Sequence, residues 1–103
     1  MLTMMEDRRE EERKNITLDV RWEGGSGRHS ARISDLSLGG CYLDTLGGAE
    51  VGEVVGLEIK LPSGEWLPLR GTVAFHHPGL GFSICFTFLT DEEQYQLTQI
   101  INS

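Results

Sequence analysis

"LGFSICFTF", residues 80–88, sets Leu80, Phe82, Ile84, Phe86 and Phe88 against Gly81, Ser83, Cys85 and Thr87 in strict alternation. Successive side chains of an extended backbone point to opposite faces, so this period predicts a strand with one face in a core. At helical spacing the same stretch would mix polar and apolar residues on every face.

The same period recurs upstream. Ile16, Leu18, Val20 and Trp22 alternate with Thr17, Asp19 and Arg21, and "EGGSG" (23–27) then supplies a turn into a second strand through "RHSARIS" (28–34). Cys41, Leu43 and Thr45 oppose Tyr42, Asp44 and Leu46 in a third. After the Gly-rich connector "LGGAEVGE" (46–53), Val55, Leu57, Ile59 and Leu61 alternate with Gly56, Glu58 and Lys60. "LPSGEW" (61–66) has hairpin-turn chemistry, and Leu67, Leu69, Gly71, Val73 and Phe75 fall on one face beyond it. With "HPGLG" (77–81) as the next turn, six strands are expected. Each buried Leu, Ile or Phe contributes about 1.5–3 kcal/mol, so the inward rows supply the core.

The chain closes with "TDEEQYQLTQIINS" (90–103), where Thr90 and Glu93 form a capping-box pattern and Leu97, Ile100 and Ile101 make one apolar stripe. A helix there can cover an open end of a sheet. Short antiparallel strands at regular spacing with one terminal helix predict an all-β fold, a six-stranded antiparallel barrel.

Composition bounds the function. The 103 residues suit one small domain, and 39% hydrophobic residues suffice for a single core without a metal. A net charge of −7 opposes duplex nucleic-acid binding, which needs a basic face, and a barrel for single strands would need a basic groove with aromatic platforms. Cys41 and Cys85 stand far apart in apolar runs and resemble buried small hydrophobes more than a disulfide framework. The opening "MLTMMEDRREEERK" turns charged too early for a signal peptide, and no apolar run is long enough for membrane insertion. A cytoplasmic setting is expected. Adjacent His76 and His77 point to opposite faces of a strand and share no ligand spacing with the cysteines, which opposes a metal site. Ser37 lacks a nucleophile elbow, so no enzyme is expected.

Two short patterns remain. "DLSLGG", residues 35–40, reads either as a tight turn, since Asp and Ser bond nearby backbone and Gly accepts positive φ, or as a small-molecule site. Asp35 and Ser37 are two apart, so an extended backbone sends both to one face, and Gly40 leaves room beside them. Residues 1–14 lack a strand period and read as a flexible arm, with residues 15–103 as the barrel and its helix. The arm carries Arg9 and Arg13 as R-x-x-x-R, with Arg8 just before. Such guanidinium forks suit phosphate and guanine, and the plain alternative is a charged tail in which Glu10, Glu11 and Glu12 neutralise the arginines.

Taken together, R-x-x-x-R, the D-x-S-x-x-G of Asp35, Ser37 and Gly40, the stretch "ARISDLSLGGCYL" (31–43) and the late strand "GLGFSICF" (79–86) resemble the PilZ domain family. The resemblance covers nearly the whole chain. It implies a six-stranded barrel acting as a receptor for the bacterial second messenger cyclic di-GMP, with Arg8, Arg9, Arg13, Asp35, Ser37, Gly39 and Gly40 as ligand-binding residues and no cofactor. The arm would close over the ligand and change the interaction with a downstream protein partner or adjoining domain. In the family a basic residue before R-x-x-x-R favours holding a stacked pair of ligands, and Arg8 occupies that place. Some members keep the barrel without binding nucleotide and serve as adaptors, which is the alternative reading. Glu10, Glu11, Glu12 and Lys14 stand where family arms often carry apolar or small residues.

Overall fold

Alternation of apolar and polar residues produces strands where the sequence places them. A computed structural model describes residues 13–103; Arg8, Arg9 and the rest of residues 1–12 lie outside the described residues. The strands are β1 (Arg13–Lys14), β2 (Leu18–Gly24), β3 (Gly27–Ser37), β4 (Gly40–Asp44), β5 (Val54–Lys60), β6 (Trp66–His77) and β7 (Gly81–Phe86), followed by helix α1 (Asp91–Ile101). Of the arm expected over residues 1–14, Arg13 and Lys14 pair in β1 with the end of β3.

Turn chemistry joins neighbouring strands into two antiparallel meanders, β2–β3–β4 and β5–β6–β7. Two further antiparallel pairings, β2 with β5 and β4 with β7, join the meanders edge to edge. The six longer strands therefore form the closed barrel expected from the sequence, and closure leaves no open edge among them.

The inward rows meet in one core built around Val20, Trp22, Ile33, Leu36, Leu43, Ile59, Phe82 and Ile84, each no more than 2% exposed. Trp22 is its largest member, stacked on His29 with ring centroids 4.4 Å apart and edge-on to Phe82 at 5.0 Å.

Three expected core residues lie outside. Leu80 is 67% exposed because it sits in the turn before β7, and Phe88 is 87% exposed because β7 has ended at Phe86 and the backbone turns to φ 52°. Phe75 is 54% exposed because the pairing of β6 with β7 shifts register between Val73 and Phe75, a bulge that turns the following residue outward. Cys85 is exposed rather than buried, since its position alternates with buried Ile84, whereas Cys41 is buried as expected.

Helix α1 begins as its capping box dictates: Glu93 N donates to Thr90 Oγ1 at 3.1 Å, and Thr90 N donates to Glu93 Oε1 at 3.0 Å. Leu97, Ile100 and Ile101 bury the apolar stripe in the core. The helix is also tied to β6, where Arg70 Nη2 donates to Glu93 Oε2 at 2.6 Å. Desolvation opposes ionisation of Glu93, but the Arg70 hydrogen bond and charge, with the Thr90 bonds, hold its carboxyl below its ordinary value. A depressed carboxylate stabilises the fold above its unfolded pKa and loses that contribution as pH falls. Glu93→Gln should therefore cost about 0.5–1 kcal/mol at neutral pH, since solvent at the pair's edge screens it. In urea titrations the gap to wild type should narrow as pH falls below 4.5, the ordinary glutamate value; a constant gap would exclude the ionised contact as its source.

Candidate ligand groove on the outer face of β3, β4 and β7

Ile33 and Leu36 are both fully buried although three residues apart, a spacing that strict alternation forbids. The pairing of β3 with β4 shifts register between Ile33 and Asp35, and this bulge absorbs the extra residue. Beyond it, Asp35 and Ser37 flank buried Leu36 and alternate to the outer face.

The following turn is organised by Ser37 itself. Gly39 N donates to Ser37 Oγ at 3.2 Å, and Ser37 Oγ reaches the Gly40 carbonyl at 3.4 Å. Phe86 N donates to the Gly39 carbonyl at 2.9 Å, which fastens the turn to the end of β7. "DLSLGG" is thus a turn between β3 and β4. The missing side chain at Gly40 has a cause in the barrel: a Cβ there would lie 2.1 Å from the Ile84 carbonyl oxygen, so β7 could not approach.

A groove of about 630 Å³ opens over this turn, lined by Asn15, Asp35, Ser37, Gly39, Gly40, Tyr42, Ser83 and Cys85 among others. Four of the residues singled out from the sequence, Asp35, Ser37, Gly39 and Gly40, come together there. A fifth of the seven, Arg13, pairs through its backbone position with Ser37, at the groove's edge. Arg8 and Arg9 lie outside the described residues.

Sequence reasoning missed Tyr42, Ser83 and Cys85 as lining residues. Their signal was present as outward positions of predicted strands, but only strand pairing shows that β4 and β7 lie beside the turn. Beneath the groove, burial pushes the Cys41 thiol well above its ordinary value, and the Asp35 charge adds to the shift. Cys41 is therefore held as an unreactive thiol.

The groove can accept hydrogen-bond donors at Asp35 and offers hydroxyls from Ser37, Tyr42 and Ser83. Comparison with known proteins matches the chain to a family. A family model described as "PilZ domain" matches residues 7–103. Among solved structures, the chain is similar to the PilZ domain of CeSA from a cellulose-synthesizing bacterium, at 21% identity and TM-score 0.70, covering 87% of this chain and 94% of that one. It is similar to the Bacillus subtilis inhibitor of motility MotI/DgrA, at 21% identity and TM-score 0.77, covering 92% of this chain but 49% of that one. A third is the PilZ domain with c-di-GMP of YcgR from Escherichia coli, at 17% identity and TM-score 0.64, covering 84% and 79%. At these identities the likeness is one of fold. No curated protein sequence matches the chain.

Proposed function

This chain belongs to the PilZ domain family, and on that premise we propose that it is a receptor and effector domain for cyclic di-GMP, with the groove over "DLSLGG" as the ligand site. The observation that supports this most is the pairing of Arg13 with Ser37, which brings the end of R-x-x-x-R to the edge of the groove that Asp35, Ser37 and Gly40 line. Asp35 accepts from guanine N1 and N2, and Ser37 serves base or phosphate. Arg9 and Arg13 take the phosphates and the O6 and N7 acceptors of guanine. The solved relative described with c-di-GMP, from Escherichia coli, supports the choice of ligand. Closure of the arm over the bound nucleotide then changes the surface offered to a protein partner or an adjoining domain in the cytoplasm.

Calorimetric titration with cyclic di-GMP tests the reading. Wild type is expected to bind, and Arg13→Ala and Asp35→Ala each to weaken binding at least tenfold, about 1.4 kcal/mol. The same titration reads stoichiometry: two ligands per chain, shifted towards one by Arg8→Leu. Absence of heat with wild type would favour an adaptor that does not bind nucleotide, and full binding by both single variants would move the site elsewhere.

A further inference from the structure

Bulges in two different strands have one joint result. The shift between Ile33 and Asp35 turns Asp35 outward on β3, and the shift between Val73 and Phe75 turns Phe75 outward on β6. Across the four strands the pairing then runs Asp35 to Tyr42, Tyr42 to Ser83 and Ser83 to Phe75. With neighbouring strands about 4.8 Å apart, this outward row spans about 14 Å. Its Asp35 end, Tyr42 and Ser83 line the groove already described.

The two aromatic members of the row, Tyr42 and Phe75, meet the same residue, His77. Tyr42 Oη lies 3.0 Å from His77 Nδ1, and Phe75 stands edge-on to His77 with centroids 4.5 Å apart. The Tyr42 ring passes over Gly81, where a Cβ would come within 3.2 Å of Cε2. A ring held at its hydroxyl and flanked by backbone loses little freedom when a flat ligand settles on it. Phe75, 54% exposed, gains nothing from the core and is placed beside this pair by its bulge.

We infer that Tyr42, with His77 and Phe75 behind it, forms a base-stacking subsite that extends the groove, taking the face of a purine while Asp35 takes the edge of another. This rests on the cyclic di-GMP reading and adds the contact that orients the second base. A dinucleotide cyclised through two phosphates presents two purines, and edge recognition at Asp35 accounts for one. Stacking accepts any base, because every base has a π-face, whereas a carboxylate selects the donors of guanine. The two residues therefore have separable roles: Tyr42 sets affinity and Asp35 sets base preference.

Calorimetry with cyclic di-GMP and cyclic di-AMP on wild type, Tyr42→Ala, Tyr42→Phe, Phe75→Ala and Asp35→Ala tests the inference. Tyr42→Ala is expected to weaken cyclic di-GMP at least fivefold with its preference over cyclic di-AMP unchanged. Tyr42→Phe should stay within about threefold of wild type, and Phe75→Ala should fall between the two. Asp35→Ala should shrink the preference itself. Should Tyr42→Ala fail to fold, tyrosine ring resonances of the wild type decide: cyclic di-GMP must shift those of Tyr42 upfield and leave those of Tyr95, on α1, in place. Binding that is sensitive to Asp35→Ala but unchanged in Tyr42→Ala and Phe75→Ala, or a Tyr42 ring that does not respond, overturns the stacking subsite and leaves the receptor reading standing. No binding by wild type overturns both.

Discussion

Trp22→Ala is expected to lower the free energy of unfolding by about 3–5 kcal/mol, the range for truncating a large buried aromatic. Trp22 is 1% exposed and joins both meanders, pairing with His29 on β3 and with Leu57 on β5 while its ring meets Phe82 of β7. Truncation would open a cavity among strands that hydrogen bonds hold in place, so the barrel cannot collapse to fill it. For a domain of this size each kcal/mol lowers the melting temperature by about 4–8 °C, and a fall of at least 12 °C is expected. Trp22→Phe supplies the control. It retains an aromatic beside Phe82 and removes Nε1, which is buried without an acceptor among the described residues, and should cost well under half as much. Equal melting temperatures for Trp22→Ala and wild type would show that the core does not depend on this residue.

The second large effect is expected where β4 meets β7. Gly40 pairs with Cys85 at one end of this joint and Gly81 pairs with Asp44 at the other. A Cβ at Gly40 would lie 2.1 Å from the Ile84 carbonyl oxygen, and one at Gly81 would lie 1.9 Å from that of Leu43, at a φ of 153° that L side chains rarely adopt. Both obstacles are backbone atoms, which cannot swing aside as a flexible side chain can. Gly40→Ala and Gly81→Ala should each cost about 2–3 kcal/mol, with urea midpoints lowered and the slope of unfolding preserved. Gly81 lies outside D-x-S-x-x-G, so comparable losses in the two variants would identify Gly40 first as a packing residue. A fully stable Gly40→Ala protein would instead return its role to the ligand. Cyclic di-GMP binding by Gly40→Ala must therefore be measured well below its melting temperature.

Local chemistry made most of the fold legible. Val20 and Trp22, Leu57 and Ile59, and Phe82 and Ile84 each announce an inward row by spacing alone, and Thr90 with Glu93 marks the start of the helix. The bulges were not legible, because an extra residue at Ser34 or Ala74 leaves no local mark when its neighbours remain compatible with a strand. That is why Phe75 reads as core and emerges on the surface. "DLSLGG" stood out through its residue types, but Tyr42, Ser83 and Phe75 line up with Asp35 only through the pairing of strands distant in sequence. Gly40 illustrates the converse: the motif is visible in the sequence, while the carbonyl that requires it belongs to Ile84, more than forty residues on.

The glycine-clasped joint has a kinetic meaning as well. Each meander is assembled from hairpins between successive strands, whereas β4 and β7 meet across about forty residues of intervening chain. The entropy of closing such a loop is spent before any of its contacts form, so the hairpins precede the joint. Gly40→Ala should then accelerate unfolding while leaving refolding nearly unchanged, the behaviour of a contact made after the transition state. The groove straddles this late joint, with Asp35, Gly40 and Tyr42 on one meander and Ser83 and Cys85 on the other. A molecule seated there is a latch across one of the two joins that close after the hairpins: it lengthens the lifetime of the barrel without hastening its formation.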